Sequence, residues 1–482
     1  MNYHSTRNHT LTADAAKAVL QGLAPDGGLY ITDRYDGFDW QGTLRLDTLG
    51  MAKSILSALL PEIQNMDELV ERAYRGRFET DELTPTVRVG DKYVLELFRG
   101  PTSAFKDVAL SMLPQLITAS KAQEAVSDEI LILTATSGDT GKAALSGFRD
   151  VEGTKIIVFY PDAGVSAVQK AQMVTQEGKN VCVCAVRGNF DDTQTGVKKI
   201  FAAGVPGDCG VRLSSANSIN IGRLAPQVVY YFKAYADLLR EGRIALGDKV
   251  DYVVPTGNFG DILAGYLAKR MGLPVGTLVC ASNQNDVLTD FLKTGTYDRR
   301  RPFYRTISPS MDILVSSNLE RLLYLLCEDC DEVAAYMRKL NEDGCYTVSQ
   351  ALLEKLHAEF SYGCCGDEET KRTIGRIWSE QHYLMDTHTA VAWRVAEDHK
   401  SENPVVVLST ASAYKFPAAV LSALGETVSN DEFEVMHRLH EVTGVPIPKA
   451  LAELKNKQAL HTDVIDREQM QSYVLSKIEA WK

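Results

Sequence analysis

Short apolar runs alternate with helix-length segments over most of the chain beyond residue 128. The runs predicted to be strands are 129–134, 154–160, 180–186, 250–254, 404–408 and one that begins near residue 277. Near-continuous apolar strands separated by helices indicate mostly parallel sheets that are covered by helices on both faces. The predicted fold class is therefore α/β, and ligands in such folds bind at the carboxyl ends of the strands.

The same pattern divides the chain into three predicted parts. Residues 1–95 form an N-terminal lobe, 96–245 a first α/β lobe and 246–482 a second α/β lobe. Charged helical pattern at about 300–380 indicates a helical insertion in the second lobe, and the segment after Asp431 predicts a solvated helical end.

Composition argues against some classes of partner. Hydrophobic residues make up 45% of the chain and charged residues 24%, as in an ordinary globular protein. The formal net charge of -12 argues against nucleic acid and anionic membranes as partners. The first residues lack the apolar core of a signal peptide, and no apolar run is long enough to cross a bilayer, which predicts a cytoplasmic protein.

The nine cysteines include one CxxC pair, Cys327 and Cys330. A structural zinc site of the usual kind needs a second such pair at standard spacing, and nothing indicates an oxidising compartment. We therefore expect free thiols and no metal site, with structural zinc as the less favoured alternative.

A lysine in the first turn of a predicted helix, Lys106, is the first candidate for chemistry. A Gly-Pro turn and a Thr-Ser pair precede it within 100–106, and Pro114 predicts a kink or a break further along the helix. The helix dipole and burial both oppose a charged ammonium there, so the pKa of Lys106 is expected to be lowered. Such a lysine is a candidate for Schiff-base chemistry, although an ordinary exposed helix lysine is the commoner case.

A glycine-rich loop at 257–261 joins a predicted strand to a predicted helix. Its glycines let successive backbone N–H groups point into one concavity beside the positive end of the helix. Such a loop can hold a phosphate without a cationic side chain, and a plain strand-to-helix turn explains the pattern equally well. The loop lacks the GxGxxG fingerprint of dinucleotide sites.

Three further polar segments follow predicted strands. The hydroxyl-rich segment 136–142 fails the Walker pattern and suits carboxylate or phosphate oxygens, or a structural turn. In 214–223, Arg223 could clamp an anionic group by a bidentate contact, or the segment is a plain polar loop. The run 408–412 carries little specificity by itself. Together, a reactive lysine and two sets of anion ligands suit pyridoxal phosphate.

Eight segments together resemble the threonine synthase family, which comprises pyridoxal-phosphate enzymes of the tryptophan-synthase-β-like fold (fold type II). They occur in the family's order at 3–7, 22–30, 100–110, 136–141, 217–223, 257–261, 308–313 and 386–390. The resemblance covers most of the chain. It implies a fold type II enzyme with two parallel-sheet α/β lobes, an N-terminal lobe and a helical insertion.

The resemblance also implies a role for each matched residue. Lys106 would be the catalytic residue, forming the internal aldimine with the cofactor and moving protons. The residues implied to bind pyridoxal 5'-phosphate are Lys106, Gly257, Asn258, Phe259, Gly260, Asp261 and Thr410, the last facing the pyridine nitrogen. The residues implied to bind the substrate are Thr136, Ser137, Asp139, Thr140, Asn217, Ser218 and Arg223, the last three at its phosphate.

The implied reaction converts O-phospho-L-homoserine and water to L-threonine and phosphate, by γ-elimination and then β-addition of water. The implied enzyme is a carbon–oxygen lyase of threonine biosynthesis, acting as a monomer or homodimer. The alternatives are a phospho-amino-acid lyase that ends at a 2-oxoacid and a catalytically silent relative that binds a phosphorylated ligand. Departures from the family pattern at Asn8, Arg99 and 412–416 lie beside the implied site and bear on substrate specificity more than on the cofactor.

Overall fold

The computed structural model describes residues 3–136, 138–163, 165–207 and 209–481. Its strands are β1 (Tyr3–Ser5), β2 (Asn8–Ala13), β3 (Tyr30–Ile31), β4 (Thr86–Val89), β5 (Lys92–Glu96), β6 (Glu129–Ala135), β7 (Thr154–Pro161), β8 (Val181–Arg187), β9 (Val211–Ser214), β10 (Val250–Pro255), β11 (Val275–Ser282), β12 (Thr296–Asp298), β13 (Cys345–Thr347), β14 (Phe360–Cys364), β15 (Val405–Ser409) and β16 (Val464–Asp466).

The helices lie mainly between these strands. They are α1 (Ala15–Gln21), α2 (Trp40–Thr43), α3 (Thr48–Leu59), α4 (Met66–Tyr74), α5 (Lys106–Gln123), α6 (Asp139–Phe148), α7 (Ala167–Val174), α8 (Phe190–Ala203), α9 (Ile221–Leu224), α10 (Val228–Arg240), α11 (Gly260–Arg270), α12 (Val287–Thr294), α13 (Leu319–Cys327), α14 (Cys330–Glu342), α15 (Gln350–Glu359), α16 (Asp367–Gln381), α17 (Thr387–Asp398), α18 (Pro417–Ala423), α19 (Glu432–Thr443), α20 (Lys449–Ala452) and α21 (Met470–Ala480). Short 3-10 helices lie at Ala225–Gln227, Pro309–Met311, Ala413–Lys415, Leu454–Asn456 and Arg467–Gln469.

Two main sheets organise the fold and confirm the predicted α/β class. Within the described residues, the β10 sheet has the strand order β14-β11-β10-β15-β5-β4 and is parallel except for the β4–β5 pair. The β7 sheet has the order β16-β8-β7-β6-β9 and is parallel throughout. Every residue of β10 is buried, as expected for a strand covered on both faces.

Neighbouring strands of the β10 sheet bring three loops to one edge. Strands β10 and β15 are parallel neighbours, with Tyr252 opposite Val406. On its other side β15 pairs in parallel with β5, with Val406 opposite Tyr93. The chain therefore leaves all three strands at the same edge of the sheet, which is where ligands bind in α/β folds.

The two sheets take strands from distant parts of the chain. Strands β4 and β5 belong to the β10 sheet although they lie far before it in the sequence, and β16 extends the β7 sheet from near the end of the chain. The division of the chain at 95 and 245 stays a prediction. The predicted helical end is present as α19, α20 and α21, but it is not solvated throughout, because β16 is paired and α21 buries Met470, Val474 and Ile478.

The region around 300–380 is mainly helical, from α13 to α16, and also contains a strand of the main sheet. Strand β14 pairs with β11 at the edge of the β10 sheet, with Leu278 opposite Phe360. Its five residues are largely half-buried or exposed, so they lack the continuous apolar run that revealed the central strands.

Helix α5 runs unbroken through Pro114. A proline inside a helix leaves the carbonyl four residues earlier, here that of Leu110, without its helical hydrogen bond. Gly147 of α6 packs so closely that a Cβ at that position would lie 1.9 Å from this oxygen. The glycine therefore allows α6 to cover the freed carbonyl by a Cα–H contact.

Smaller features complete the fold. Strands β1, β2 and β3 form an antiparallel sheet of order β2-β1-β3 at the N-terminus. All nine cysteines are unpaired. Among the described residues, we find no helix that combines the length and the apolar character needed to cross a membrane.

Candidate active site

Lys106 is the first residue of α5, and buried hydrogen bonds shape the turn before it. The carboxylate of Asp107 accepts a hydrogen bond from the Thr102 backbone N–H at 2.8 Å and one from the Thr102 hydroxyl at 2.5 Å. A Cβ on Gly100 would lie 2.5 Å from the Cβ of Asp107, so the turn requires glycine there. Burial raises the pKa of Asp107 to about 6, and the Thr102 hydrogen bonds oppose this shift.

The same turn is docked onto the loop that follows β15. The N–H of Phe105 donates to the carbonyl of Thr410 at 2.8 Å, and the N–H of Ser412 donates to the carbonyl of Ser103 at 3.1 Å. Ser103 has φ +60°, a left-handed conformation that the loop contacts must hold. These contacts place Lys106 at the edge of the β10 sheet where strands β5, β10 and β15 end.

The amine of Lys106 lies among charged and polar groups from distant segments. Its Nζ donates to the hydroxyl of Ser310 at 3.3 Å. Burial lowers the pKa of Lys106 to about 8; Asp139 opposes the shift, while Arg223 and Lys415 add to it. A substantial fraction of the amine is therefore neutral near pH 8, as a nucleophilic lysine requires.

Asp139, at the start of α6, pairs with a lysine that the sequence analysis did not assign to the site. Lys415 Nζ lies 2.9 Å from Asp139 Oδ1, and the two side chains are 0% and 4% exposed. Gln169 Nε2 donates to the same carboxylate oxygen at 3.0 Å. Burial raises the pKa of Asp139, but Lys415 and Lys106 together bring it below its usual range, so the carboxylate stays charged. The available signal was a lysine within the apolar run 413–417.

The loop 257–260 after β10 presents backbone N–H groups that are not used elsewhere. Within the described part of the chain, no N–H from Gly257 to Ile262 donates a hydrogen bond. Phe259 takes the left-handed conformation, with φ +61°, and its ring is buried against Phe360. Consecutive free N–H groups at the start of a helix form a nest for an anion.

The segment 308–318 packs against the loop 257–260 and hydrogen-bonds to its carbonyl groups. A Cβ on Gly257 would lie 2.7 Å from the carbonyl oxygen of Ser310, so only glycine permits this approach. The Ser316 hydroxyl donates to the Gly257 carbonyl at 2.7 Å. The backbone N–H and Nδ2 of Asn318 donate to the Asn258 carbonyl at 3.0 and 3.1 Å.

The side chain of Asp261 turns toward helix α10. Its Oδ1 accepts hydrogen bonds from the hydroxyls of Tyr230 at 2.6 Å and Tyr231 at 3.1 Å. Its Oδ2 is buried without a hydrogen-bond partner in the described part of the chain. Burial raises the pKa of Asp261 to about 7, against the effect of the tyrosine hydroxyls. The backbone N–H is thus the group of Asp261 that belongs to the nest.

Arg223 is buried and, among the described residues, lacks an ion-pair partner. Its guanidinium donates to the carbonyl of Ala216 at 2.6 Å, and burial lowers its pKa to about 10. A buried guanidinium with unused donors is a strong seat for an anion. Asn217 is exposed and Ser218 half-buried; Asn318 Nδ2 donates to the Ser218 carbonyl at 3.2 Å and so links this segment to the nest.

The segment 136–140 provides a second helix start near Lys106. The hydroxyl of Thr136 accepts hydrogen bonds from the N–H groups of Gly138 and Gly141, both at 3.0 Å, and so closes its own turn. Within the described residues, the N–H groups of Asp139 and Thr140 are free for a ligand. Ser137, also expected in the site, lies outside the described residues.

A buried histidine holds Ser310 in place and was likewise not assigned from the sequence. The backbone N–H of Ser310 donates to His388 Nε2 at 3.1 Å. His388 Nδ1 lies 2.7 Å from Asp386 Oδ2, and because a carboxylate only accepts, Nδ1 carries the proton. The imidazole is therefore neutral, with one tautomer selected by Asp386. Both residues belong to the matched segment 386–390, which offered the signal.

Family models match most of the chain. The model described as pyridoxal-phosphate dependent enzyme matches residues 83–411. The models described as threonine synthase N terminus and threonine synthase, C-terminal match residues 2–74 and 389–474.

Individual relatives agree with these models. Threonine synthase of Saccharomyces cerevisiae is 38% identical over 90% of this chain and 90% of its own length. Human threonine synthase-like 1 is 39% identical over 85% of this chain, which spans only 58% of that longer protein. The crystal structure of pyridoxal-phosphate-bound threonine synthase from Brucella melitensis superposes with a TM-score of 0.89, at 37% identity, covering 100% of this chain and 99% of the other. The chain belongs to the threonine synthase family of pyridoxal-phosphate-dependent enzymes.

Proposed function

We propose that this chain is a threonine synthase that converts O-phospho-L-homoserine and water to L-threonine and phosphate with pyridoxal 5'-phosphate as its cofactor. The observation that carries the proposal is one lysine with a lowered pKa beside two separate seats for anions. One seat is the backbone nest at 257–260, and the other is the guanidinium of Arg223, which has no ion-pair partner among the described residues. A phosphorylated cofactor and a phosphorylated substrate need two such seats.

The residues at this edge of the sheet fit pyridoxal phosphate. The N–H groups of the nest, which donate to no acceptor in the described part of the chain, suit the cofactor phosphate, and Gly257 leaves the backbone accessible to it. Lys106 supplies an amine that is partly neutral near pH 8. Thr410 follows β15 next to the turn that carries Lys106, and its hydroxyl suits the pyridine nitrogen as a neutral partner.

The substrate groups have matching partners. Arg223, with Asn217 and Ser218, would hold the substrate phosphate and stabilise the charge of the leaving group. The N–H groups of Asp139 and Thr140, at the start of α6, donate to no described residue and would hold the substrate carboxylate.

Lys106 is the residue that would transfer protons in this reaction. Bound pyridoxal phosphate supplies the electron sink that makes protons on the carbon skeleton acidic. With a pKa of about 8, the amine of Lys106 can both accept and return a proton near physiological pH. The Ser310 hydroxyl, at 3.3 Å, orients Nζ, and the charged pair of Asp139 and Lys415 sets the local field.

Turnover with two lysine variants tests this proposal. We expect the wild-type protein with pyridoxal phosphate to release phosphate and threonine from O-phospho-L-homoserine in equal amounts. Lys106→Ala should lose the lysine-linked chromophore and both products. Lys142→Ala is the matched control, because burial also lowers the pKa of Lys142, to about 7, and it should retain both.

Other products would contradict the proposal. Phosphate together with 2-oxobutyrate and ammonia would identify a lyase, and a protein that binds O-phospho-L-homoserine without any cofactor absorbance would be a silent relative. A chromophore that survives in Lys106→Ala and is lost in Lys142→Ala would identify Lys142, in α6, as the reactive lysine. We also propose that the protein is cytoplasmic and acts as a monomer or a homodimer.

A further inference from the structure

A cluster of possible metal ligands lies away from the candidate active site, at the N-terminal sheet. His4 is in β1, His9 is in β2, and Cys330 is the first residue of α14. One ligand atom of each lies within 4.8 Å of the other two. His4 and Cys330 are buried and His9 is exposed, so a cation could enter from solvent. We call these three residues the His-His-Cys cluster.

One ring nitrogen of His4 contacts a backbone carbonyl, and the other faces a carboxylate. Its Nδ1 lies 2.9 Å from the carbonyl of Ser5, which only accepts, so Nδ1 carries a proton. A backbone carbonyl in this position is the usual outer partner of a metal-bound histidine. The other nitrogen, Nε2, faces a carboxylate oxygen of Asp33 at 3.1 Å, where a lone pair would meet an acceptor. Either a cation or a second ring proton must resolve that contact.

The partners of His9 also leave it a free lone pair. The Tyr324 hydroxyl donates its one proton to Asp33 Oδ1 at 3.0 Å and lies 2.9 Å from His9 Nε2. Because that proton is used, His9 Nε2 must donate to the phenol oxygen. His9 Nδ1 is then the unprotonated nitrogen and is able to bind a metal.

The surroundings of Cys330 favour a divalent cation. Its Sγ lies 3.5 Å from the carbonyl of Ser5, within the same cluster. Asp329 and Asp331 flank Cys330 in the chain, and a carboxylate oxygen of Asp33 lies 3.1 Å from His4 Nε2, so negative charge is concentrated around the cluster. Two imidazoles and a sulfur are the ligands that zinc prefers, whereas magnesium and calcium prefer oxygen.

We propose that His4, His9 and Cys330 bind a zinc ion, with water or Asp33 as the fourth ligand. Zinc–ligand bonds of about 2.0–2.3 Å require ligand atoms about 3.5 Å apart, so shifts of about 1 Å close the site. The ion joins the β1–β2 hairpin to the turn between α13 and α14. His9 and Cys330 are 321 residues apart in the sequence and the ligands follow no CxxC…CxxC spacing, so no local motif marks the site.

Metal binding by tag-free protein tests the proposal, because a histidine tag would itself bind zinc. We expect the chelator-treated wild-type protein to take up one zinc ion per chain and to melt at a higher temperature when zinc is present. Substitution of cobalt should give the visible absorption of a tetrahedral site and a sulfur-to-cobalt charge-transfer band. Cys330→Ser should lose that band, and His9→Asn should bind zinc at least tenfold more weakly.

Two matched variants serve as controls. Cys327→Ser removes the other cysteine of the CxxC pair, and His437→Asn removes an exposed histidine elsewhere; both should behave like the wild type. Since His9 is exposed, His9→Asn remains informative even if Cys330→Ser fails to fold. No zinc uptake by the wild type, or equal uptake by His9→Asn, would overturn the proposed site. Metal content is independent of turnover, so this test is separate from that of the proposed function.

Discussion

At the scale of single residues, the chemistry of Lys106 depends on groups that are far away in the sequence. Its position at the start of α5 comes from the local turn, but its hydrogen-bond partner is Ser310 and its charged neighbours include Arg223 and Lys415. Burial is the largest cause of its lowered pKa, and burial is a property of the folded chain. The sequence therefore identifies Lys106 as a candidate, but it does not show which groups surround the amine in the folded protein.

The pH dependence of cofactor binding to Lys106 tests whether its surroundings lower its pKa. Only the neutral amine attacks an aldehyde, so the rate at which Lys106 captures pyridoxal phosphate should rise with pH and reach half its maximum near pH 8. Arg223 disfavours the ammonium form, so Arg223→Gln should raise the pKa and move the midpoint upward by about one unit or less. Stopped-flow absorbance measures both.

Lys142→Ala should leave this midpoint unchanged, because Lys142 is not among the groups that shift the pKa of Lys106. A wild-type midpoint near 10.5, the ordinary value for lysine, would contradict the environment described for Lys106. The direction is specific: removing a nearby cation must raise the pKa of a lysine, never lower it.

At the scale of elements, the sequence pattern predicts the central strands of the sheets but not the edge strand β14. The strands β6, β7, β8, β10 and β15 match the predicted runs closely, because a strand buried on both faces is apolar at most of its positions. Strand β14 is short and only partly buried, so its pattern is lost among the helices around it. The break that Pro114 predicted in α5 does not occur, and the packing of α6 against the Leu110 carbonyl is a tertiary feature that no local pattern shows.

The close packing of α5 against α6 makes Gly147 a sensitive position. A Cβ there would overlap the Leu110 carbonyl that Pro114 leaves free. Gly147→Ala should therefore separate the two helices and lower the free energy of unfolding by about 1–3 kcal/mol. Denaturant unfolding followed by circular dichroism measures the change.

Gly207→Ala is the matched control for this position. A Cβ at Gly207 meets nothing within 4 Å, so that variant should unfold within error of the wild type. Equal stability of Gly147→Ala and the wild type would mean that the helices are not in the close contact described here.

At the scale of the whole molecule, the end of the chain returns to the β7 sheet. Strand β16 pairs with β8, and α21 covers a buried cluster that contains Cys182 and Cys184. The Tyr473 hydroxyl of α21 lies 3.1 Å from the sulfur of Cys182. The last segment thus completes a sheet whose other strands lie before residue 215.

Removal of residues 463–482 deletes β16 and α21 and should expose the side of the β7 sheet that α21 covers. We expect Cys182 and Cys184 to react with a thiol reagent at least tenfold faster than in the full chain, because their cover is lost. Cys280, buried in β11 of the other sheet, is an internal control whose reactivity should change little. Peptide mass spectrometry resolves the three sites. Equal protection of Cys182 in both proteins would show that α21 does not shield it.

Strand periodicity, glycine-rich turns and a lysine after a Gly-Pro turn were legible in the sequence because each depends on residues within about ten positions of one another. The fold class, the nest at 257–260 and Lys106 were predicted from such local patterns. Lys415 beside Asp139, His388 behind Ser310, and His4 near Cys330 were not, since each pair is joined by chain folding over long sequence distances. Local patterns specify the elements, whereas burial and proximity between distant segments create the charges and contacts of the sites.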